Sequence, residues 1–367
     1  MTSGPILSLA DRPLQGSAQA HVAEWLRAVA AGGSARLGAI DDATADVVRS
    51  TGLEALARAH GAEHGTLRDV ERRQFAAVTL TAAAARRLIE MLDAAGVCAV
   101  VLKGLPLAER YWGDAFLRPS VDVDLLVAKR DYDRARAALV AEGFASREEW
   151  VPAWYLRRWF YHETLEVHRP HSLAVELHWD YLRPGLGDTD VPGLLAAAEN
   201  VVVAGCALPA PGPPWQLLVV AAHAVHEFFG ARHLLDVAQV AHALDDAAWR
   251  TAVELADAAR LGPTLWYGVR ASSEWLGWQP PDVLDRLRPS AVRDQVVRRY
   301  VRRLPPLGRP SRLDLQLQHV VAPALSSDGG RAVTRIPFAL MTDRGNLAMR
   351  IERGRRRLAG REHPAQP

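Results

Sequence analysis

One seven-residue stretch constrains this chain more than any other. Residues 121–127 read Val-Asp-Val-Asp-Leu-Leu-Val. Alternation followed by an apolar end is the pattern of a β-strand with at least one buried face. Side chains two apart on a strand share a face. Asp122 and Asp124 therefore project together, while Val121, Val123 and Leu125 fill the other side. Two carboxylates side by side in an apolar strand repel each other and are costly to take out of water. A divalent cation removes that cost, and an all-oxygen ligand set selects Mg²⁺ or Mn²⁺ over zinc. The competing reading is an edge strand whose acids face solvent.

Residues 175–179, Val-Glu-Leu-His-Trp, alternate in the same way. Glu176 and His178 share one face; Val175, Leu177 and Trp179 share the other. Glu176 is a third carboxylate that a sheet can bring beside the aspartates. Three carboxylates on neighbouring strands suit two metal ions about 3.5–4 Å apart, clamping the attacking and leaving oxygens of a phosphoryl transfer. His178 either lines such a site or satisfies a neighbour.

Lys103 and Gly104 follow a Val-rich run at 97–102 and precede a short helical pattern at 105–112. Backbone N–H groups at such a junction can receive phosphate, and glycine lets the chain come close. Lys103 is one of only two lysines beside 42 arginines. It reads as a point charge for a triphosphate or as a snorkelling surface residue. Arg118, four residues before Asp122, either reaches the same phosphates or pairs with Asp114 or Asp122.

Around these motifs the periodicity predicts helices over 17–31, 43–59 and 66–95, then strands over 97–102 and 121–127. A helix follows over 131–142, then strands over 163–169 and 173–179 joined by a turn at 169–172. Beyond the Pro- and Gly-rich segments 183–192 and 209–214, helices are predicted over 215–229, 233–242, 247–259, 263–276 and 283–303. The fold class is α+β: a small mixed sheet with helices on one face, flanked by N-terminal and C-terminal helical regions. The expected divisions are 1–96, 97–208, 209–350 and a basic flexible tail, 351–367. A loose leader is expected before residue 17 and a Gly/Ser loop at 326–331.

With 49% hydrophobic and 23% charged residues, the chain can bury a real core and is not a disordered one. The apolar run at 217–222 is far short of the ~18–20 residues that span a bilayer. The first residues carry Asp11 and Arg12 without the order of a secretory signal. Cys98 and Cys206 form neither a metal pattern nor a disulfide framework. A cytoplasmic protein with no membrane partner is expected. A net charge of +2 gives no global field for nucleic acid. Local basicity at 286–303 and 353–357 allows RNA as a partner, but a solvated face is the favoured reading. The aromatic stretch Trp150, Trp154, Tyr155, Trp159 and Phe160 reads as core or as a roof over a substrate pocket. His223, His226, His233 and Asp236 lack any established metal spacing.

The string from 100 to 127, VVLKGLPLAERYWGDAFLRPSVDVDLLV, resembles the signature of the bacterial uncharacterised nucleotidyltransferase family, within the polymerase-β-like nucleotidyltransferase superfamily. VELHW at 175–179, the helical string at 223–241 and the lead-in at 53–65 extend the resemblance over residues 50–275. It implies that Asp122 and Asp124 bind metal, with Glu176 as the third carboxylate and candidate base. The superfamily usually has Gly-Ser or Gly-Gly where this chain has Lys103-Gly104, as the narrower family does. His223 and Asp236 would then serve helix packing or edge the substrate pocket. The implied activity is Mg²⁺- or Mn²⁺-dependent transfer of a nucleoside monophosphate from a nucleoside triphosphate such as ATP. The acceptor would be a hydroxyl of a small molecule, protein or RNA, and pyrophosphate would leave. The alternative is a nucleotide-binding sensor or partner-binding module without chemistry.

Overall fold

A computed structural model of the 367-residue chain describes residues 16–326, except 34, 119, 121, 148–150, 152–155, 158–159, 168–172, 184–185 and 309. The leader, the 169–172 turn, the 326–331 loop beyond its first residue and the basic tail lie outside the described residues. So do Val121, Trp150, Trp154, Tyr155 and Trp159 of the sequence reading.

A five-stranded mixed sheet forms the centre. Its strands are β1 (Ala99–Val101), β2 (Asp122–Val127), β3 (Ala145–Ser146), β4 (His162–Val167) and β5 (Leu173–His178), in spatial order β1-β2-β5-β4-β3. β2 and β5 run parallel and every other pairing is antiparallel. The pleat sorts the side chains. Val123, Leu125, Leu165, Val175 and Leu177 face an apolar layer supplied by two helices. The first is α4 (Val70–Ala94), which contributes Val78, Ala82, Ala85, Leu88 and Leu92. The second is α6 (Tyr132–Ala141), which contributes Tyr132, Ala135 and Leu139. One charge lies in this layer. Glu163 is 1% exposed and accepts hydrogen bonds from the Tyr132 hydroxyl and from Arg136 Nε at 3.0 Å.

A second core joins the two helical flanks. It holds α1 (Ser17–Ala30), α2 (Asp42–Ser50) and α3 (Glu54–Ala59) against α8 (Pro213–His226), α9 (Ala231–Ala243), α10 (Asp246–Ala258) and α11 (Gly262–Leu276). Arg27 Nε of α1 donates to the Trp275 carbonyl of α11 at 3.2 Å, across 248 residues of sequence. Val100, Leu102 and Leu126 of the sheet also join this core. The parts of the chain before and after the sheet are thus packed into one body behind it.

Several predicted boundaries move, each for a local reason. The expected single helix at 43–59 is two, because Gly52 adopts φ 69°, a left-handed turn that no helix interior accommodates. Asp41 caps the first of them, accepting from Thr44 N at 2.8 Å. The expected helix at 283–303 is a 3₁₀ segment, Asp282–Leu287, followed by α12 (Ala291–Val301). Pro289 forces Arg288 into an extended conformation, with ψ 121°. The helix at 66–95 begins with a 3₁₀ turn, Gly65–Leu67, and becomes α-helical at Val70. The hairpin β6 (Glu199–Val203) and β7 (Cys206–Ala210) was not anticipated, nor were α7 (Val191–Ala196) and α13 (Arg312–Ser326). The hairpin's turn sits at Ala204 and Gly205, both at positive φ. No described helix is long and apolar enough to cross a membrane.

Helices α8 and α11 meet at Gly268. A Cβ there would stand 2.8 Å from Ala221 Cβ and 3.0 Å from the Ala221 carbonyl oxygen. The two backbones meet too closely for any side chain, so overpacking is expected. Gly268→Val should lower the unfolding free energy by about 1–3 kcal/mol, read as a lower urea midpoint in a circular-dichroism titration.

Candidate functional site

The parallel pairing of β2 with β5 sets Asp124 directly opposite Glu176. The same register puts Leu126 opposite His178, and the antiparallel neighbour β4 sets His162 opposite His178. Asp122, Asp124, Glu176 and His178 therefore share the face that points away from α4 and α6. The structure brings Glu176 beside the two aspartates, which the sequence places together on one strand and the glutamate on another.

These acids are not left bare. Lys103, two residues beyond β1, holds its Nζ 3.1 Å from Asp124 Oδ1. His178 Nε2 lies 3.2 Å from the same oxygen and 3.2 Å from Glu176 Oε2. Ser120 Oγ donates to Asp122 Oδ1 at 3.0 Å. This packing depends on Gly104, whose φ is 77° and ψ −122°. A Cβ there would stand 2.8 Å from Ser120 Oγ. Only glycine reaches that conformation readily, so Gly104 lets the turn after Lys103 close over Ser120. The expected helix at 105–112 is one α-turn, α5 (Leu105–Leu107), running into a π-helical turn at Ala108–Trp112. It is too short to act as a strong helix N-terminus, so Lys103 carries the local positive charge.

Burial pushes every charge here toward its neutral form, and the neighbours decide the outcome. Burial would raise the Asp124 carboxyl, but Lys103 and then His178 hold it well below the usual range. Glu176 is also lowered, its burial outweighed by the hydrogen bond from His178. Asp122 goes the other way: burial and the Asp124 charge raise it more than Lys103 lowers it. Lys103 and His178 are both raised despite burial, because carboxylates surround them. The site is thus three acids held against Lys103 and His178 in a place that is largely closed to water.

Among the described residues, the group whose ligand atoms lie close enough together to hold a cation is His162, Glu176 and His178, all within 4.8 Å of one another, and His162 Nδ1 is buried without a hydrogen-bond partner. Asp122 and Asp124 present their oxygens on the same face of the sheet as Glu176. The sequence reading did not single out His162, since it lies one residue outside the predicted strand at 163–169. The β4–β5 register was the missing information.

A cavity of about 530 Å³ opens beside Asp122 and Asp124 and is walled by Lys103, Arg73, Arg118 and Arg232. Arg73 lies on α4 and Arg232 on α9, so neither was within reach of a motif search. Burial, with Arg118 next, lowers the Arg232 guanidinium to about 10. Arg118 turns to neither Asp114 nor Asp122. It grips Asp236 of α9 through Nε at 2.6 Å and Nη2 at 2.8 Å, both residues buried. Asp236 therefore reaches the cavity only through Arg118. His223 lines this cavity and a smaller one beside Glu176. Its ring meets His233 edge-on at 4.5 Å. Burial, with Lys103 next, keeps it neutral.

Two predictions follow from these pairs. Removing one partner of a buried bidentate ion pair strands the other charge. Asp236→Ala should therefore cost about 3–5 kcal/mol of stability, and Arg118→Met/Asp236→Leu should recover most of it in urea unfolding. The second concerns His178, whose folded-state pKa is raised above its unfolded value. Its stabilising contribution is then full below the unfolded pKa and lost as pH rises through the folded one. The stability gap between wild type and His178→Gln should shrink with rising pH across that interval; a gap that widens would contradict the pairing.

No curated protein matches the chain. A family described as uncharacterised nucleotidyltransferase matches residues 43–277, well over half of the 367 residues. The match takes in the five-stranded sheet, the three carboxylates, Lys103 and the helices that close the basic cavity, and on that ground the chain belongs to this family of nucleotidyltransferases.

Proposed function

We propose that the protein transfers a nucleoside monophosphate from a nucleoside triphosphate to an acceptor hydroxyl and releases pyrophosphate. The observation that carries this reading is the register of β2 on β5, which sets Glu176 beside Asp124, and Asp124 with Asp122 lines a cavity walled by arginines and Lys103. Asp122, Asp124 and Glu176 would hold Mg²⁺ or Mn²⁺, which when bound neutralises phosphate charge and lowers the pKa of the attacking hydroxyl. Lys103 and Arg118 face the triphosphate and oppose the charge that gathers on the leaving pyrophosphate. Arg73 and Arg232 extend that wall. Gly104 keeps the backbone low enough for the phosphates to approach.

The acceptor oxygen attacks the α-phosphorus. A new P–O bond forms as the bond to the bridging oxygen of the β-phosphate breaks, and pyrophosphate leaves with that electron pair. The acceptor's proton passes to the Glu176 carboxylate, the one of the three acids that lines the second, smaller cavity.

A second reading has one observation in its favour. Lys103 and His178 already satisfy Asp124 Oδ1 from inside the protein, as suits a nucleotide sensor that binds without turnover. The two readings part in one experiment: pyrophosphate release from each of the four ribonucleoside triphosphates with Mg²⁺ or Mn²⁺, with and without cell extract as acceptor source. For the transferase, release depends on extract, and Asp124→Asn lowers it at least about 100-fold, as expected when a transition-state charge partner is lost. Mn²⁺ binding, followed by loss of its free electron-paramagnetic-resonance signal, should weaken in the same variant. Triphosphate binding without release in the wild type would select the sensor.

A further inference from the structure

The smaller cavity measures about 170 Å³ and shares only Lys103 and His223 with the basic one. Its volume is below the ~300–1,000 Å³ of a pocket that swallows a whole drug-sized molecule, so it suits a single ring or side group. Glu176 and His178 stand at its edge.

Four of its lining residues carry a buried polar atom with no hydrogen-bond partner: Tyr181 Oη, His226 Nε2, His162 Nδ1 and His178 Nδ1. Buried polar groups in native proteins are almost always paired, and each one left alone calls for a reason. Four in one small wall are explained together if a ligand completes them. The chemistry of that ligand follows from the groups. A tyrosine hydroxyl both donates and accepts, and a neutral imidazole has one donor and one acceptor nitrogen. Burial, with Arg183 next, depresses His226 to about 3, so it is neutral at working pH. Hydroxyl groups, which also both donate and accept, are the natural match.

The charges agree. Arg183 is matched by Glu227, and Lys103 and His178 by Glu176 and by Asp124 beside it, so the wall favours neither an anion nor a cation. Tyr161 and Tyr181 add aromatic surface suited to the apolar face of a saturated ring. The wall is also held by strained backbone. Phe228 and Phe229, directly after Glu227, sit at φ 58° and 54°. Non-glycine residues in that region persist only where the surroundings enforce them, and such strain gathers at functional sites. A serine, threonine or tyrosine side chain brings one hydroxyl, which cannot both react and satisfy four partners.

We propose that this cavity is the acceptor site and that the acceptor presents a neutral, polyhydroxylated ring of the sugar or cyclitol class, one hydroxyl of which is directed toward Glu176. The inference rests on the transferase reading above. The reaction is then the one already balanced: that hydroxyl's oxygen bonds to the α-phosphorus, pyrophosphate departs, and the proton passes to Glu176.

The test is saturation-transfer NMR on the full chain. The neutral ring probes are methyl α-glucopyranoside, methyl α-galactopyranoside and myo-inositol; N-acetyl-serinamide and N-acetyl-tyrosinamide stand for a peptide acceptor. At least one ring probe should receive saturation in wild type and lose it in Val219→Trp, which fills the cavity. Tyr181→Phe should weaken that probe about fivefold, the worth of one neutral hydrogen bond. Its melting temperature should hold or rise, because the variant removes only an unpartnered buried hydroxyl. A fall in melting temperature without a change in binding would mark the hydroxyl as structural and overturn the assignment. So would the absence of any ring-probe signal, a signal indifferent to both variants, or binding of the acetylated amino acids that Val219→Trp abolishes while the rings stay silent. ATP binding with Mn²⁺, measured by calorimetry on the same samples, separates the two layers. Ring binding without ATP binding removes the transferase reading. ATP binding without ring binding overturns this inference alone.

Discussion

Burying the Asp124 carboxylate is the constraint around which the centre of this protein is arranged. The residue is 2% exposed and sits on the middle of a strand. An isolated carboxylate in that position would take up a proton rather than stay charged. It stays charged because Lys103 and His178 both reach the same oxygen. Each of those contacts makes its own demand on the fold. Lys103 arrives only if β1 ends at Val101 and the chain turns sharply at Gly104, against Ser120. His178 arrives only if β5 runs parallel to β2 in the register that also delivers Glu176. A one-residue slip of β5 would send Glu176 and His178 to the apolar layer and leave Asp124 facing Val175 or Leu177.

The helical flanks are bound into the same arrangement by a second buried charge pair. Arg118 lies in the segment that leads into β2, and Asp236 lies on α9, 118 residues further on. Their bidentate contact fixes the approach to the aspartates relative to the helix that also carries Arg232 and His233. Gln216 of α8 adds a neutral tie, donating to the Leu102 carbonyl at 3.1 Å, directly before Lys103. The basic cavity is therefore assembled from α4, the β1–β2 connection and α9, and its shape is set by contacts that are not themselves part of the cavity floor. Such buried pairs are weak arguments for net stability but strong ones for a single geometry.

Strand alternation around Asp122–Asp124 and Glu176–His178 is a local property of the chain, which is why the mixed sheet and its acidic face were legible without coordinates. Lys103 and Gly104 were legible as a place where charge meets a close turn, but not as a partner of Asp124. Arg118 shows the limit more sharply: nearby acids, Asp114 and Asp122, were the natural candidates, and the residue that takes it lies far along the sequence. Ion pairs between distant segments leave no periodic trace. His162 escaped because a one-residue error in a strand boundary hides which side chains face across a hairpin. The hairpin at Glu199–Ala210 escaped because Val201 and Val203 alternate over only five residues, and Pro209 in its second strand argues against a strand unless it lies on an edge. Pro289 and Gly52, by contrast, were visible breakers inside segments read as continuous helices; weight given to periodicity over those two residues produced both errors.

The two cavities meet at Lys103 and His223, and the consequences of that meeting are asymmetric. On the Asp122 side the wall is cationic and the space is large enough for a triphosphate and its nucleoside to enter. On the Glu176 side acids and bases are matched, His162, His223 and His226 are neutral and the space is small. A parallel pair in the middle of a mixed sheet produces this division directly. It places the acids of two strands at one level, while the connections that follow β1 and β5 depart to opposite flanks. One carries Lys103 and Gly104 toward the arginines, and the other carries Tyr181 and Arg183 toward α8. The difference in charge between the two cavities is thus a result of strand order, and among the described residues only Lys103 and His223 line both.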